Sequence, residues 1–243
     1  MKPIQVLGII MLIAIAVSIR VRADPVPISD LGTPVDSRGD YSGLTALSDE
    51  AYAGNITSLE PNVTSITKTW QGYYGNITAK IVLDNANNKS MYDWDVANPT
   101  GTVFAVNDTI TSWTDIGCFN FTDADDMNLT EYESKVLNCT GDDDGLNETF
   151  TSETHETVYV GTTSFTNECN ATKTYVNDGQ GAASFDEVLL YDKGEDRVIY
   201  ATVIHADETN FENGQSDFQM IVGEDGHGGD TAKTTYYFYI ELM

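Results

Sequence analysis

Apolar residues recur along most of this chain with a period of two, and no segment keeps a helical period beyond two or three turns. The clearest run is residues 234–242. Alternation there places Tyr236, Phe238, Ile240 and Leu242 on one face of a strand and Tyr237, Tyr239 and Glu241 on the other. A strand with two such faces belongs mid-sheet or at an interface. Residues 156–165, 187–191, 197–204 and 218–222 read as further strands. Earlier in the chain, residues 77–83 alternate as a half-buried strand. Asp84-Asn85-Ala86-Asn87-Asn88 is a turn, and residues 91–94 and 101–106 are short strands separated by Asn98-Pro99-Thr100-Gly101. The pattern predicts an all-β fold, an antiparallel β-sandwich of Ig-like or jelly-roll-like type.

Residues 68–78 concentrate Trp70, Tyr73 and Tyr74 with Gly72, Gly75 and an Asn76-Ile77-Thr78 triplet. Aromatic and β-branched side chains fit a pleated, half-buried surface. We therefore read Trp70, Tyr73, Tyr74, Trp94, Tyr237 and Phe238 as structural aromatics. Trp70 and one of Tyr73 or Tyr74 stay buried while the strand leaves the core for a turn at Asn76.

Three stretches break the β pattern. Residues 1–23 run from Lys2 through an apolar segment to Val21-Arg22-Ala23 and read as a secretory signal, too short to span a bilayer. Residues 24–65 carry Pro25, Pro27, Pro34 and Pro61 and read as an extended N-terminal arm. Residues 48–54 within it are able to form a turn or two of capped helix. Such an arm is a flexible leader or a strand added to the sheet edge of a neighbouring subunit. Residues 66–243 form the β-domain. Within it, residues 114–156 hold twelve acids and one base, Lys135, and read as a long acidic excursion.

Charge narrows the partners. The chain has 38 acidic and 12 basic residues; without the leader's Lys2, Arg20 and Arg22 the balance is −29. That surface repels nucleic acid and anionic headgroups, so no nucleic-acid partner and no membrane insertion of the mature chain are expected. Ten Asn-x-Ser/Thr triplets, at Asn55, Asn62, Asn76, Asn88, Asn107, Asn120, Asn128, Asn138, Asn147 and Asn170, exceed chance and predict N-linked glycans on a secreted chain. None lies beyond Asn170, which points to the final seventy residues as core or subunit contact.

Three cysteines allow one internal bridge. A Cys118–Cys169 disulfide would tie down the excursion and leave Cys139 over, although spacing alone leaves the connectivity open. Their spacing fits no zinc pattern. Clustered carboxylates at Asp123, Asp125, Asp142 and Asp144, and the turn from Glu224 to Asp230, suggest calcium as the only candidate cofactor besides glycans. His155, His205 and His227 are far apart and lack a nucleophile elbow, a zinc-protease helix or a phosphate loop nearby, so no enzymatic activity is expected.

The Trp70-Gln71-Gly72-Tyr73-Tyr74-Gly75-Asn76 run, Met91-Tyr92-Asp93-Trp94, Phe185-Asp186-Glu187-Val188-Leu189-Leu190-Tyr191-Asp192 and Tyr236-Tyr237-Phe238-Tyr239-Ile240-Glu241-Leu242 together resemble a group of secreted archaeal cell-surface proteins. The resemblance covers residues 66–243 and not the arm. It implies a glycosylated, β-rich subunit of a sheath, surface layer or extracellular fibre, and carries over no catalytic residue. Many group members end in a membrane anchor; without one here, the expected partners are copies of the same chain. The alternative reading is a monomeric secreted module that binds carbohydrate or cations through aromatics around Trp70, Trp94 and Trp113.

Overall fold

The computed structural model describes residues 23–38, 48, 50–61, 63–122, 126–177, 179, 183–225 and 233–243. The fold is all-β, built of antiparallel sheets. In chain order the strands are β1 (Val26–Pro27), β2 (Trp70–Gly75), β3 (Ala79–Asp84), β4 (Ser90–Val96), β5 (Gly101–Val106), β6 (Ile116–Cys118), β7 (Val158–Val160), β8 (Thr163–Phe165), β9 (Ala171–Tyr175), β10 (Ala183–Asp192), β11 (Arg197–Val203), β12 (Glu208–Thr209), β13 (Gln215–Ser216), β14 (Phe218–Gly223) and β15 (Tyr237–Leu242). Two single-turn helices, α1 (Leu129–Tyr132) and α2 (Leu146–Thr149), flank a π-helical turn, Glu133–Leu137, inside the acidic excursion.

Seven strands form the central sheet in the order β1-β15-β5-β11-β10-β6, with β9 pairing the first half of β10 beside β6. Its middle strands are apolar on both faces, and both faces are covered. Val103, Ala105, Leu189, Tyr191, Val198 and Tyr200 face one core, which β14, β2 and the excursion complete with Met220, Val222, Leu137, Leu146 and Phe150. Phe104, Val106, Val188, Leu190, Ile199 and Ala201 face the other, closed by Trp113 and by Val158, Val160 and Phe165 of the β7–β8 hairpin. Every residue of β5 is buried. Gly101 opens that strand with φ +143, and a Cβ there would collide with the Glu241 carbonyl across the ladder.

Several boundaries depart from the alternation pattern. Residues 156–165 form two strands, because Gly161 turns the chain at φ +56 and its amide donates to the Glu241 Oε2 at 2.8 Å. Residues 48–54 form no helix among the described residues. The chain turns there instead, with the Asn55 amide donating to the Tyr52 carbonyl. Among the described residues β3 pairs only with β4, and β5 sits between β11 and β15. The signal-like segment, apart from Ala23, lies outside the described residues.

The excursion is a folded cover. Asn128 caps α1 by accepting the Glu131 amide at 3.1 Å, and the buried Glu133 carboxylate accepts the Leu146 amide at 3.0 Å where α2 begins. A disulfide joins Cys118 and Cys169, the pairing that ties the excursion down. Closing a loop with a sequence separation of 51 limits the unfolded chain by about 4 kcal/mol in the chain-entropy account. Cys139 is free and buried; burial, with Glu133 nearby, pushes its thiol up to about 11. It is inert by exposure and by protonation alike.

Glu187 is wholly enclosed, as is the neighbouring Asp186. Glu187 on β10 reaches β14, where its Oε2 accepts the Ile221 amide at 2.8 Å. Desolvation raises its carboxyl well above the usual 4.5, which favours its protonated form. The folded state thus binds a proton that the unfolded chain releases above about pH 4.5. This contribution is fully present below that pH and is lost as pH rises toward the folded value. Glu187→Gln should therefore match the parent in urea unfolding at pH 3.5 and exceed it at pH 7. The gap should widen by up to about 1.4 kcal/mol per pH unit across that interval. Equal stability differences at both pH values would show that Glu187 is ionised in the fold.

Candidate interaction surface

The hairpin of β3 and β4 stands apart from the central sheet. Its turn is built by Asn85, whose side-chain oxygen accepts the Asn87 and Lys89 amides at 2.9 and 3.1 Å, with Asn88 in the left-handed region at φ 55. Side chains directly opposite each other across a ladder share a face, so the register sorts the hairpin into two surfaces. Lys80 opposite Asp95, and Val82 opposite Asp93, form one, where the Lys80 ammonium lies 2.8 Å from Asp93 and 3.2 Å from Asp95. Ala79 opposite Val96, Ile81 opposite Trp94 and Leu83 opposite Tyr92 form the other.

This second face is apolar and uncovered. Ala79 is buried at the root, but Ile81, Leu83, Tyr92 and Trp94 keep 56, 51, 59 and 49% of their surface exposed. The Tyr92 and Trp94 rings lie 4.7 Å apart, tilted by 55°. The alternation read from the sequence is real here, yet no layer of the described chain closes over it. Trp94, read from the sequence as a structural aromatic, stands half-exposed at the surface. A two-stranded hairpin has too little contact to be stable alone, and exposed apolar patches are a general mark of interaction sites.

The other structural aromatics divide. Trp70 packs in edge-to-face geometry against Tyr200 and lies 5.8 Å from Phe150, and its indole donates to the Asp144 carbonyl at 2.6 Å. Tyr73 meets Phe238 at 5.0 Å, so of the two tyrosines it is Tyr73 that packs inward. Tyr74 is exposed beside Phe211, and Tyr237 is exposed on β15; neither serves the core. Trp113 is buried between Phe104 and Tyr239. Of the three tryptophans, only Trp94 is available to a partner.

A second surface lies at the sheet edge. β1, from the arm, pairs antiparallel with β15, Val26 opposite Ile240 and Pro27 opposite Tyr239, and the Ile28 amide donates to the Phe238 carbonyl at 3.0 Å. Pro25 is buried, and the Asp24 carboxylate lies where a Cβ on Gly161 would stand. Sequence reasoning allowed the arm to add a strand to a neighbouring subunit's sheet edge without naming a position; two residues among prolines give no alternation to read. The described residues of 29–65 are exposed throughout, Leu31, Val35, Tyr52, Ile56, Leu59 and Val63 among them.

Of the proposed calcium ligands, Asp142 and Asp144 are among the described residues. Asp144 is a latch: its carboxylate accepts the Thr67 hydroxyl at 2.5 Å and the Thr69 hydroxyl at 3.3 Å, holding the approach to β2. Asp142 lends its carbonyl to the Gly145 amide, and Asp123 and Asp125 lie outside the described residues, as does most of the turn from Glu224 to Asp230. No group of three His, Cys, Asp or Glu among the described residues is arranged to hold a metal. His155 is a structural acceptor, its Nε2 taking the Glu168 and Cys169 amides at 3.2 and 3.3 Å.

Of the ten sequon asparagines, Asn62 lies outside the described residues. Asn55, Asn76, Asn88, Asn120, Asn138 and Asn147 are exposed, and Asn107, Asn128 and Asn170 are half-buried. Two of them, Asn76 and Asn88, bracket β3. No helix among the described residues is long and apolar enough to cross a membrane. Comparison with protein-family models, with curated proteins and with solved structures finds no match to the chain.

The packing difference between the tryptophans is measurable. Trp70→Ala should cost about 2–4 kcal/mol in urea unfolding, through the cavity between Phe150 and Tyr200 and the lost indole hydrogen bond. Trp94→Ala should change stability by less than about 1 kcal/mol. Equal losses would mean that the hairpin face is covered within the monomer.

Proposed function

We propose that the chain is a structural subunit of an extracellular archaeal assembly, a fibre, sheath or surface layer, that self-assembles through β-rich contacts and its N-terminal arm. The observation that carries this reading is the uncovered apolar face of the β3–β4 hairpin, Ile81, Leu83, Tyr92 and Trp94. A strongly acidic chain keeps itself soluble by charge, so an apolar patch of this kind is a specific contact and not a general stickiness. The disulfide fits an oxidising exterior, and the exposed sequon asparagines fit glycans directed to solvent. The repulsion of anionic headgroups argues for a protein and against a membrane as the partner of the hairpin.

A monomeric carbohydrate-binding module is the second reading, favoured by the exposed Tyr92–Trp94 ring pair. The face offers only the Tyr92 hydroxyl and the Trp94 indole N–H to read sugar hydroxyls, which suits an apolar partner better.

Electron microscopy and sedimentation of the purified native protein decide between them. Extended or layered particles are expected, and Ile81→Glu/Trp94→Glu should convert them to monomers with unfolding unchanged by more than about 1 kcal/mol. A monodisperse parent chain that binds glycans through Trp94 would replace the assembly reading with the second one.

A further inference from the structure

We propose that β1 is exchanged between copies, the strand Val26–Pro27 of one chain lying on the β15 edge of the next; this rests on the self-assembly reading and specifies the contact that propagates it. In the structure β1 occupies its own β15 through main-chain hydrogen bonds, the buried Pro25 and the Asp24 carboxylate beside Gly161. Every one of these contacts is available unchanged on the β15 of a neighbour, because the neighbour's edge is the same edge. Exchange of an identical element gives up no contact energy, and what decides it is the tether and whatever else the exchanged arm meets.

Both favour exchange. At roughly 3.3 Å per residue, the joining residues 29–66 reach up to roughly 125 Å, so their length does not bind β1 to its own domain. The described residues between 29 and 65 are all exposed, so folding back gains them little. Two apolar surfaces lie in water in the closed form: Ile56, Leu59 and Val63 of the arm, and Ile81, Leu83, Tyr92 and Trp94 of the hairpin. An arm that crosses to a second copy lies along that copy's surface and takes those residues to its hairpin face. There the free edges of β3 and β4 also accept an extended segment. Closure within one chain leaves both surfaces uncovered, while exchange covers each with the other.

The test places the two halves of the pairing on different molecules. Val26 and Ile240 stand opposite each other in the ladder, at a separation that a disulfide bridges. Chains carrying only Val26→Cys and chains carrying only Ile240→Cys are dissociated, mixed, assembled and oxidised. Exchange yields a covalent dimer of the two variants that neither gives alone. A chain with both substitutions forms the bond wherever β1 lies, and under exchange it runs as a covalent ladder on a denaturing gel. Assembled particles that give only intrachain bonds in the double variant and no dimer in the mixture overturn exchange and leave the assembly reading standing. Failure of the double variant to form any bond also overturns exchange, by denying the pairing. Monodisperse chains with intrachain bonds overturn both readings.

Discussion

Three adjacent strands, β5, β11 and β10, are apolar on both faces, and this requirement for two covers organises the molecule. A sheet of that kind in water exposes one core or the other unless a layer is laid on each side. The chain meets the demand with what is at hand. β2 and β14 cover part of one face, the acidic excursion supplies the remainder, and the small β7–β8 hairpin with Trp113 closes the other. The excursion looks like a solvated loop in composition but is held by Leu137, Leu146 and Phe150, which turn inward, and by the Cys118–Cys169 bridge. Its acids have structural tasks too: Glu133 receives the amide at the start of α2, and Asp144 latches the approach to Trp70.

The same logic separates what was legible in the sequence from what was not. The two-faced alternation of residues 236–242 pointed to a strand covered on both sides, and β15 indeed sends Tyr239 to one core and packs Phe238 and Ile240 against the other. The disulfide was one of the readings that the cysteines allowed. Periodicity shows that a strand has an apolar face; it carries no information about whether another layer exists to cover it. For that reason residues 77–83 read as a half-buried strand, while in the fold the apolar face of β3 and β4 stands exposed. Trp70 and Trp94 sit in similar aromatic strands, and only the tertiary neighbours Phe150 and Tyr200 distinguish them. β1 and β6 are too short to show any period, and their placement is set by the free edges they complete.

Polar groups inside the fold work as joints between layers. The buried Glu187 spans from β10 to β14, and Thr202 donates to the carbonyls of Asp186 and Gln219, tying the central sheet to the layer above it. Asp217 receives the Ile77 amide at the end of β2 and the Asp207 amide in the next loop. Such joints fix register where apolar packing alone would allow sliding, because a displaced layer would leave a buried acceptor without its donor.

Proline at the second position of β1 sets a limit on the sheet. Pro27 has no N–H, so the outermost strand presents an interrupted row of donors to anything that approaches from outside. The aromatic run just behind it, Tyr237 to Leu242, is the segment of this chain most suited to template an open-ended cross-β stack. With β1 in place that run is an interior strand, and the ladder stops one strand later at a residue unable to extend it. The edge is thereby made terminal: a sheet rich in aromatic residues can be present at high concentration without becoming a seed for irreversible fibrillar collapse.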